Sequence, residues 1–254
     1  MDKFRKALVV AAMIFAVALC IYFMIPSDYG YYEKITNHTY DVISLFVVIL
    51  AFMTFRLFRL SSIEGRVWFL LFLGLAVWFI ADVGWTVQVY LGTLEFPSFS
   101  DAIYIIGYVI IIAAMFLEYR ISREVIRLKN VMIGAAVALL TLVLSGFTAL
   151  IPVSSSTESY LAKAITLFYP IADTLIIFTA AVLVLTLHHA KSARSWLLIG
   201  IGLVFWVIAD IMQGFIEWSE TGLTYIIADP IWILGLIFIG LGAYYHKLLF
   251  KGEI

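Results

Sequence analysis

Eight stretches of this chain are each long and apolar enough to cross a bilayer: 7–25, 41–60, 67–91, 101–119, 131–151, 165–187, 195–217 and 229–249. A spanning helix needs about 20 mostly apolar residues, because the hydrocarbon layer is about 30 Å thick and a helix rises about 1.5 Å per residue. The runs are continuously apolar and do not alternate with period two, which argues against a transmembrane β-barrel. The longest connections, around 26–40 and 152–164, are too short for a soluble domain. Function must therefore lie in the bundle, in its loops or in a partner chain. The expected fold is an all-α integral membrane protein of eight transmembrane helices.

Composition agrees. Hydrophobic residues make up 64% of the chain and charged residues 13%, against about 45–50% and about 25% in soluble domains. The formal net charge is −1 with no basic patch, so nucleic acid is not an expected partner. A single cysteine, Cys20, excludes an intrachain disulfide framework and a cysteine-cluster metal site. No cofactor and no metal is expected.

Orientation follows from lysine and arginine in the short loops. Lys3, Arg5 and Lys6, Arg56, Arg59 and Arg66, Arg120, Arg123, Arg127 and Lys129, Lys191 and Arg194, and Lys247 and Lys251 fall on one side, fourteen of the sixteen basic residues. Only Lys34 and Lys163 fall on the other, beside Asp28, Glu33, Glu95, Glu158, Glu217 and Glu220. The expectation is a multi-pass protein of the cell membrane with both termini cytoplasmic. The basic start and apolar run of the first span also resemble a signal peptide, with Ala16 and Ala18 imitating a cleavage site. The run continues through Met24 and an even number of spans fits the charge partition, so a retained helix is expected.

The chain carries a duplication. Shifted by 128, Trp68, Gly74, Trp78, Ile80, Ala81 and Asp82 meet Trp196, Gly202, Trp206, Ile208, Ala209 and Asp210. Across the next loop Asp101, Ile103, Ile105 and Gly107 meet Asp229, Ile231, Ile233 and Gly235. Fifteen of 46 positions match between 66–111 and 194–239. The match of 1–60 with 131–190 is weaker, and Tyr40 meets Tyr169 only at a shift of 129. Two four-helix repeats, 1–129 and 130–254, are expected within one membrane domain. Each has an even number of spans, so the repeats are parallel, related by a pseudo-twofold axis along the membrane normal.

Ionisable groups inside spans are costly and are functional candidates by default. Asp41, Asp101 and Asp229 stand at the outer starts of inward-running spans, and Asp173 follows Pro170 near the start of the sixth. Acids there suit helix N-terminal capping, with Pro230 after Asp229 suiting a first helical position. Asp82 and Asp210 differ. Each lies 16 residues beyond a flanking arginine, Arg66 or Arg194, which is about 24 Å along the helix. Both carboxyls are expected in the outer half of the membrane facing the bundle, either as structural hydrogen-bond acceptors or as a ligand, ion or proton site. If they meet across the pseudo-axis they would share a proton.

Their surroundings point to a binding pocket. Trp78 and Trp206 precede the aspartates by four residues, and Trp85 and Gln213 follow by three. Gln88, Tyr90, Tyr104, Tyr108, Tyr169, Trp218 and Trp232 add aromatic and amide groups at outer depth. Carboxylates beside aromatic faces suit an organic cation; they equally suit structural tyrosine–carboxylate bonds. Trp218, Tyr90 and Tyr225 also fit the role of interface anchors.

Catalytic signatures are absent. No histidine pair has metal-ligand spacing, and neither HExxH nor GxSxG, P-loop or GxGxxG occurs. His38 falls in the first outer loop, and His188, His189 and His246 read as interfacial at inner span ends. Ser61, Ser62 and Ser192 have no visible base partner. Asn37-His38-Thr39 is a glycosylation sequon of low specificity. Gly235, Gly240 and Gly242 suit close helix contact.

Asp82 to Trp85, followed by the run from Phe96 to Tyr108 (FPSFSDAIYIIGY), resembles the multi-span input modules that precede diguanylate cyclase or histidine kinase domains in microbial sensors. Those modules often read as an aspartate near a tryptophan, then Pro-Ser, Ala-Asp and Tyr-Leu-x-x-Tyr. Ser100 stands where alanine is usual, and Val109 where proline often follows. The resemblance covers about 30 residues well and the second copy loosely. It implies a sensor module. With no output domain after the eighth span, signalling would need a separate kinase or cyclase partner.

The reading is therefore a membrane sensor or ligand-binding module with an outward-facing acidic and aromatic pocket. Asp82, Asp210, Trp78, Trp206, Trp85, Gln213, Asp173, Asp101, Asp229, Tyr104 and Trp232 are the candidate ligand-binding residues, and no residue is assigned as catalytic. Expected partners are the bilayer, the kinase or cyclase and, in a homo-oligomer, further copies of the chain. The alternatives are a membrane-embedded lipid hydrolase using aspartates, similar in size to the lysoplasmalogenase-like hydrolases, a small-solute or proton-coupled transporter, and a scaffold.

Overall fold

The computed structural model describes residues 2–26, 30–93, 95–188, 190–218 (without the side chains of 217 and 218) and 227–254. Among these residues the regular structure is entirely helical. Eight helices are long and apolar enough to span: α1 Lys3–Met24, α2 Tyr32–Phe55, α3 Ile63–Leu91, α4 Phe99–Ile121, α5 Leu128–Ser155, α6 Tyr160–Leu187, α7 Ala193–Trp218 and α8 Ala228–Phe250. The surface of the bundle is apolar. Val17, Phe46, Ile80, Ile106, Leu139 and Ile171, from six different helices, are all exposed, as lipid-facing side chains must be.

Side chains end several helices where the chain leaves hydrocarbon and its first amides need acceptors. Ser62 accepts from the Gly65 amide at 3.0 Å at the start of α3, and Ser159 from the Ala162 amide at 3.2 Å at the start of α6. At α4 the exchange is reciprocal: the Ser98 amide donates to Asp101 Oδ2 at 2.7 Å, and the Asp101 amide to Ser98 Oγ at 3.3 Å. Gly92 closes α3 with a φ of 63°, a conformation that costs glycine nothing.

Two helix starts differ from the hydropathy reading. α2 begins at Tyr32, so Asp41 lies well inside it and is not a cap. α6 begins at Tyr160, placing Asp173 more than three turns in. The early turns of α2 are polar because Tyr32, Thr36, Asn37 and Tyr40 line the bundle interior, and a lipid-transfer scale reads such turns as loop, whereas α6 opens on the exposed Tyr160 and Leu161. Asp229 sits in the first turn of α8 with Ile227 at the cap position, so Pro230 is the third helical residue and not the first. α5 is interrupted by a wide π turn at Gly146–Leu150.

Helices pack as α3 on α4 and α7 on α8, with α2 bridging α3 and α8, and α6 bridging α4 and α7. α1 lies mainly on α8, and α5 on α6. Small residues allow the closest contacts, as expected where lipid removes the hydrophobic drive for helix association. A Cβ on Gly202 would fall 2.6 Å from the Gly235 carbonyl oxygen, and one on Gly107 would strike the Trp78 indole. Hydrogen bonds add further ties: Thr54 Oγ1 donates to the Ala243 carbonyl at 2.9 Å, and Ser195 Oγ to the Gly242 carbonyl at 2.8 Å. Lys3 Nζ lies 3.1 Å from Glu253 Oε2, so α1 begins and α8 finishes at the same end of the bundle. His246, read from sequence as interfacial, is instead 5% exposed, with its ring centroid 4.5 Å from that of Trp68 and 4.7 Å from that of Phe250.

Candidate functional site

A cavity of about 710 Å³ opens at the other end of the bundle, with Glu33, Glu95 and Phe96 at its mouth. α2, α3, α4, α6, α7 and α8 all contribute to its wall, together with Tyr22 of α1 and the π-turn region of α5. Ten of the eleven candidates from sequence line it: Asp82, Asp210, Trp206, Trp85, Gln213, Asp173, Asp101, Asp229, Tyr104 and Trp232. Trp78 does not. It is 1% exposed and lies against the Trp206 indole, with centroids 4.2 Å apart and planes 15° from parallel.

The Asp82 carboxylate is held by two hydroxyls. Tyr104 donates to Oδ1 at 2.6 Å and Ser44 to Oδ2 at 2.8 Å. Asp210 occupies the corresponding position on α7. Trp232 Nε1 donates to its Oδ1 at 2.7 Å and the Tyr108 hydroxyl to its Oδ2 at 2.5 Å. Tyr104 and Trp232 are 128 positions apart, as are Asp82 and Asp210. Hydrogen bonds to a charged group contribute about 1.5–3 kcal/mol each, and in hydrocarbon they replace the water that a carboxylate would otherwise lose.

Asp82 and Asp210 do not pair with each other. The neighbour of Asp210 is Asp173, which is 2% exposed and also reaches the Tyr108 hydroxyl, at 3.1 Å. Trp206 Nε1 donates to the same hydroxyl oxygen at 3.3 Å. Tyr108 thus joins α4 to acids on both α6 and α7.

The outer acids are shared between elements as well. Asp101, besides capping α4, accepts from the Tyr169 hydroxyl at 2.9 Å. Asp41 accepts from Thr86 Oγ1 at 2.8 Å and has His38 Nδ1 at 3.8 Å. Asp229 stands near the hydroxyls of Tyr22 and Tyr40.

No lysine, arginine or histidine lines the cavity among the described residues. The two basic residues expected on this side are engaged elsewhere. Lys34 Nζ stands 4.7 Å from the Tyr90 ring centroid, and Lys163 Nζ donates to the Ser156 carbonyl at 2.7 Å. Two buried polar atoms of the wall, Ser145 Oγ and Gln213 Oε1, have no hydrogen-bond partner. Among the described residues, no three His, Cys, Asp or Glu side chains converge to hold a metal ion.

Sequence reasoning placed Asp41 as a cap and did not select Ser44, Thr86 or Ser145. Ser44 follows Asp41 by three residues and so shares its helix face, a signal that was legible. Nothing in the sequence marks Ser145, which owes its place to the π turn that follows it. Trp218, Tyr225, Asp28, Glu217, Glu220 and His189 lie outside the described residues or side chains. No protein-family model, curated protein or solved structure matches the chain.

Proposed function

We propose that this protein is a membrane sensor module whose acidic and aromatic cavity faces outward and binds an organic cation. The observation that carries the reading is the lining: eight carboxyl side chains and ten aromatic rings, with no basic residue among those described. An aromatic face attracts a cation by about 0.5–2 kcal/mol, and each buried carboxylate without a counter-charge is costly. A cation entering the cavity improves both terms, whereas an anion is repelled by every wall.

Two parallel four-helix halves, 1–129 and 130–254, fit the contacts. Tyr104 donates to Asp82 as Trp232 donates to Asp210. Gly74 abuts Ile111 as Gly202 abuts Ile239, again 128 positions apart. Tyr169 reaches Asp101 and Tyr40 stands near Asp229, each across the two halves. The shared end of α1 and α8 is read as cytoplasmic and the mouth as facing outside, which the lysines and arginines of the loops support. In this reading, occupancy biases the packing of the halves, and a separate kinase or cyclase receives the signal, as the resemblance of the 82–108 segment to sensor input modules suggests.

The test is isothermal titration of the protein in nanodiscs with choline, arginine and putrescine, against glucose and glutamate. Binding of at least one cation, lost in Asp82→Asn or Asp210→Asn, is expected. Binding of glutamate or glucose alone, or cation binding unchanged in both variants, overturns the reading. A second reading, a lipid hydrolase, draws on the convergence of Asp173 and Asp210 on Tyr108. Turnover of lysophospholipid by the purified protein, lost in Asp210→Asn, would favour it.

A further inference from the structure

Resting on the cation-binding reading, we propose that the ligand is a linear polyamine, a flexible chain with at least two protonated nitrogens that each carry N–H donors. Three independent observations lead to it.

The acids are dispersed. Asp82 belongs with Ser44 and Tyr104, whereas Asp210 and Asp173 belong with Tyr108. No metal-holding cluster forms among the described residues, so a compact divalent ion finds no coordination shell. One point charge cannot serve two separate carboxyl groups, but two charges spaced along a chain can.

The unpartnered wall atoms, a hydroxyl and an amide oxygen, can each accept from a ligand's donors. Ser145, 2% exposed, and Gln213 face the cavity with Oγ and Oε1 free of hydrogen bonds. Pro170 in α6 has no N–H, so the Thr166 carbonyl beside the same cavity loses its helical donor. A protonated amine brings two or three N–H groups to such atoms. A quaternary ammonium brings none.

The third observation is a count of hydrogens. Tyr108 has one hydroxyl hydrogen for two carboxyl groups, and its oxygen already accepts from Trp206. Asp173 and Asp210 also hydrogen-bond to each other, so a proton between them meets part of this need, and an ammonium at this point would supply donors to the remaining carboxyl lone pairs. Between the charged ends, methylene segments would rest on the rings of Trp85, Trp206 and Trp232. A cavity of about 710 Å³ has room for such a chain, since ligand sites run to about 300–1,000 Å³.

The probes are spermidine, putrescine, n-butylamine, tetramethylammonium and calcium, titrated against the full chain in nanodiscs. Spermidine is expected to bind at least about tenfold more tightly than n-butylamine or tetramethylammonium, a difference well resolved by titration. Gln213→Leu and Ser145→Ala should weaken spermidine without changing tetramethylammonium. Gln213→Glu, close in shape and adding a charge, should strengthen spermidine and so remains informative if Gln213→Leu fails to fold. Tetramethylammonium or n-butylamine binding as tightly as spermidine, and lost in Asp210→Asn, sinks the polyamine and leaves the cation cavity standing. Calcium as the tightest ligand also sinks it. If none of the five binds, the cation-binding reading falls with it.

Discussion

The indoles of Trp78 and Trp206 lie face to face, 4.2 Å apart and 15° from parallel, where α3 and α7 come together. Each stands one turn before an aspartate of the cavity, so the stack forms a floor beneath Asp82 and Asp210. Trp78→Ala is expected to cost about 3–5 kcal/mol, the usual penalty for emptying a buried aromatic site. Trp206→Phe keeps part of the ring contact but loses some packed volume and the N–H to Tyr108, so it should cost less, about 1–3 kcal/mol. Reversible unfolding in mixed micelles, followed by tryptophan fluorescence, separates the two. Equal losses would mean that the stack itself contributes little.

Tyr104 and Trp232 make the same kind of bond to Asp82 and Asp210. Tyr104→Phe and Trp232→Phe should each destabilise by about 1–3 kcal/mol, the range for a bond to a charged acceptor. Combining them with Asp82→Asn and Asp210→Asn in double-mutant cycles checks this. Coupling within each pair and none between pairs is the expected outcome.

Close approach of α7 and α8 depends on the absence of side chains at Gly202 and Gly235. Gly202→Ala would put a methyl 2.6 Å from the Gly235 carbonyl oxygen, and backbone cannot swing aside. A loss of about 1–3 kcal/mol is expected, as for other overpacked contacts. Gly30→Ala, with nothing within 4 Å, serves as the neutral control. A Gly202→Ala protein as stable as the control would contradict the packing described.

Topology can be read with single cysteines, because Cys20 is the only native one. In a Cys20→Ser background, Glu158→Cys should react with a membrane-impermeant maleimide in intact cells. Ser192→Cys should react only after permeabilisation. The reverse pattern would turn the cavity mouth toward the cytoplasm.

Much of this arrangement is legible in the sequence. Lipid tolerates few charges, so the spans stood out, and Asp82 and Asp210 had to face inward. What misled was the hydropathy scale itself. Residues 32–40 are polar and read as loop, yet they are the first turns of α2 because that stretch faces the cavity interior. The same error made Asp41 a cap. The partnership of Asp210 with Asp173 was beyond sequence reasoning for another reason. It depends on how α6 and α7 lie against each other, and expected symmetry pointed to Asp82 instead. His246 shows the converse case: a position near a span end suggested the interface, whereas Trp68, Phe58 and Phe250 enclose it.

The register that equates Tyr104 with Trp232 equates Tyr108 with Leu236, which has no hydroxyl to offer. Tyr108 therefore forms a latch from α4 to α6 and α7 that has no twin at Leu236. Whatever draws Asp210 toward the solvent side slackens that latch, and Asp82 has no counterpart to release. Tyr108→Phe would remove that latch and leave the Tyr169–Asp101 and Thr54–Ala243 bonds in place.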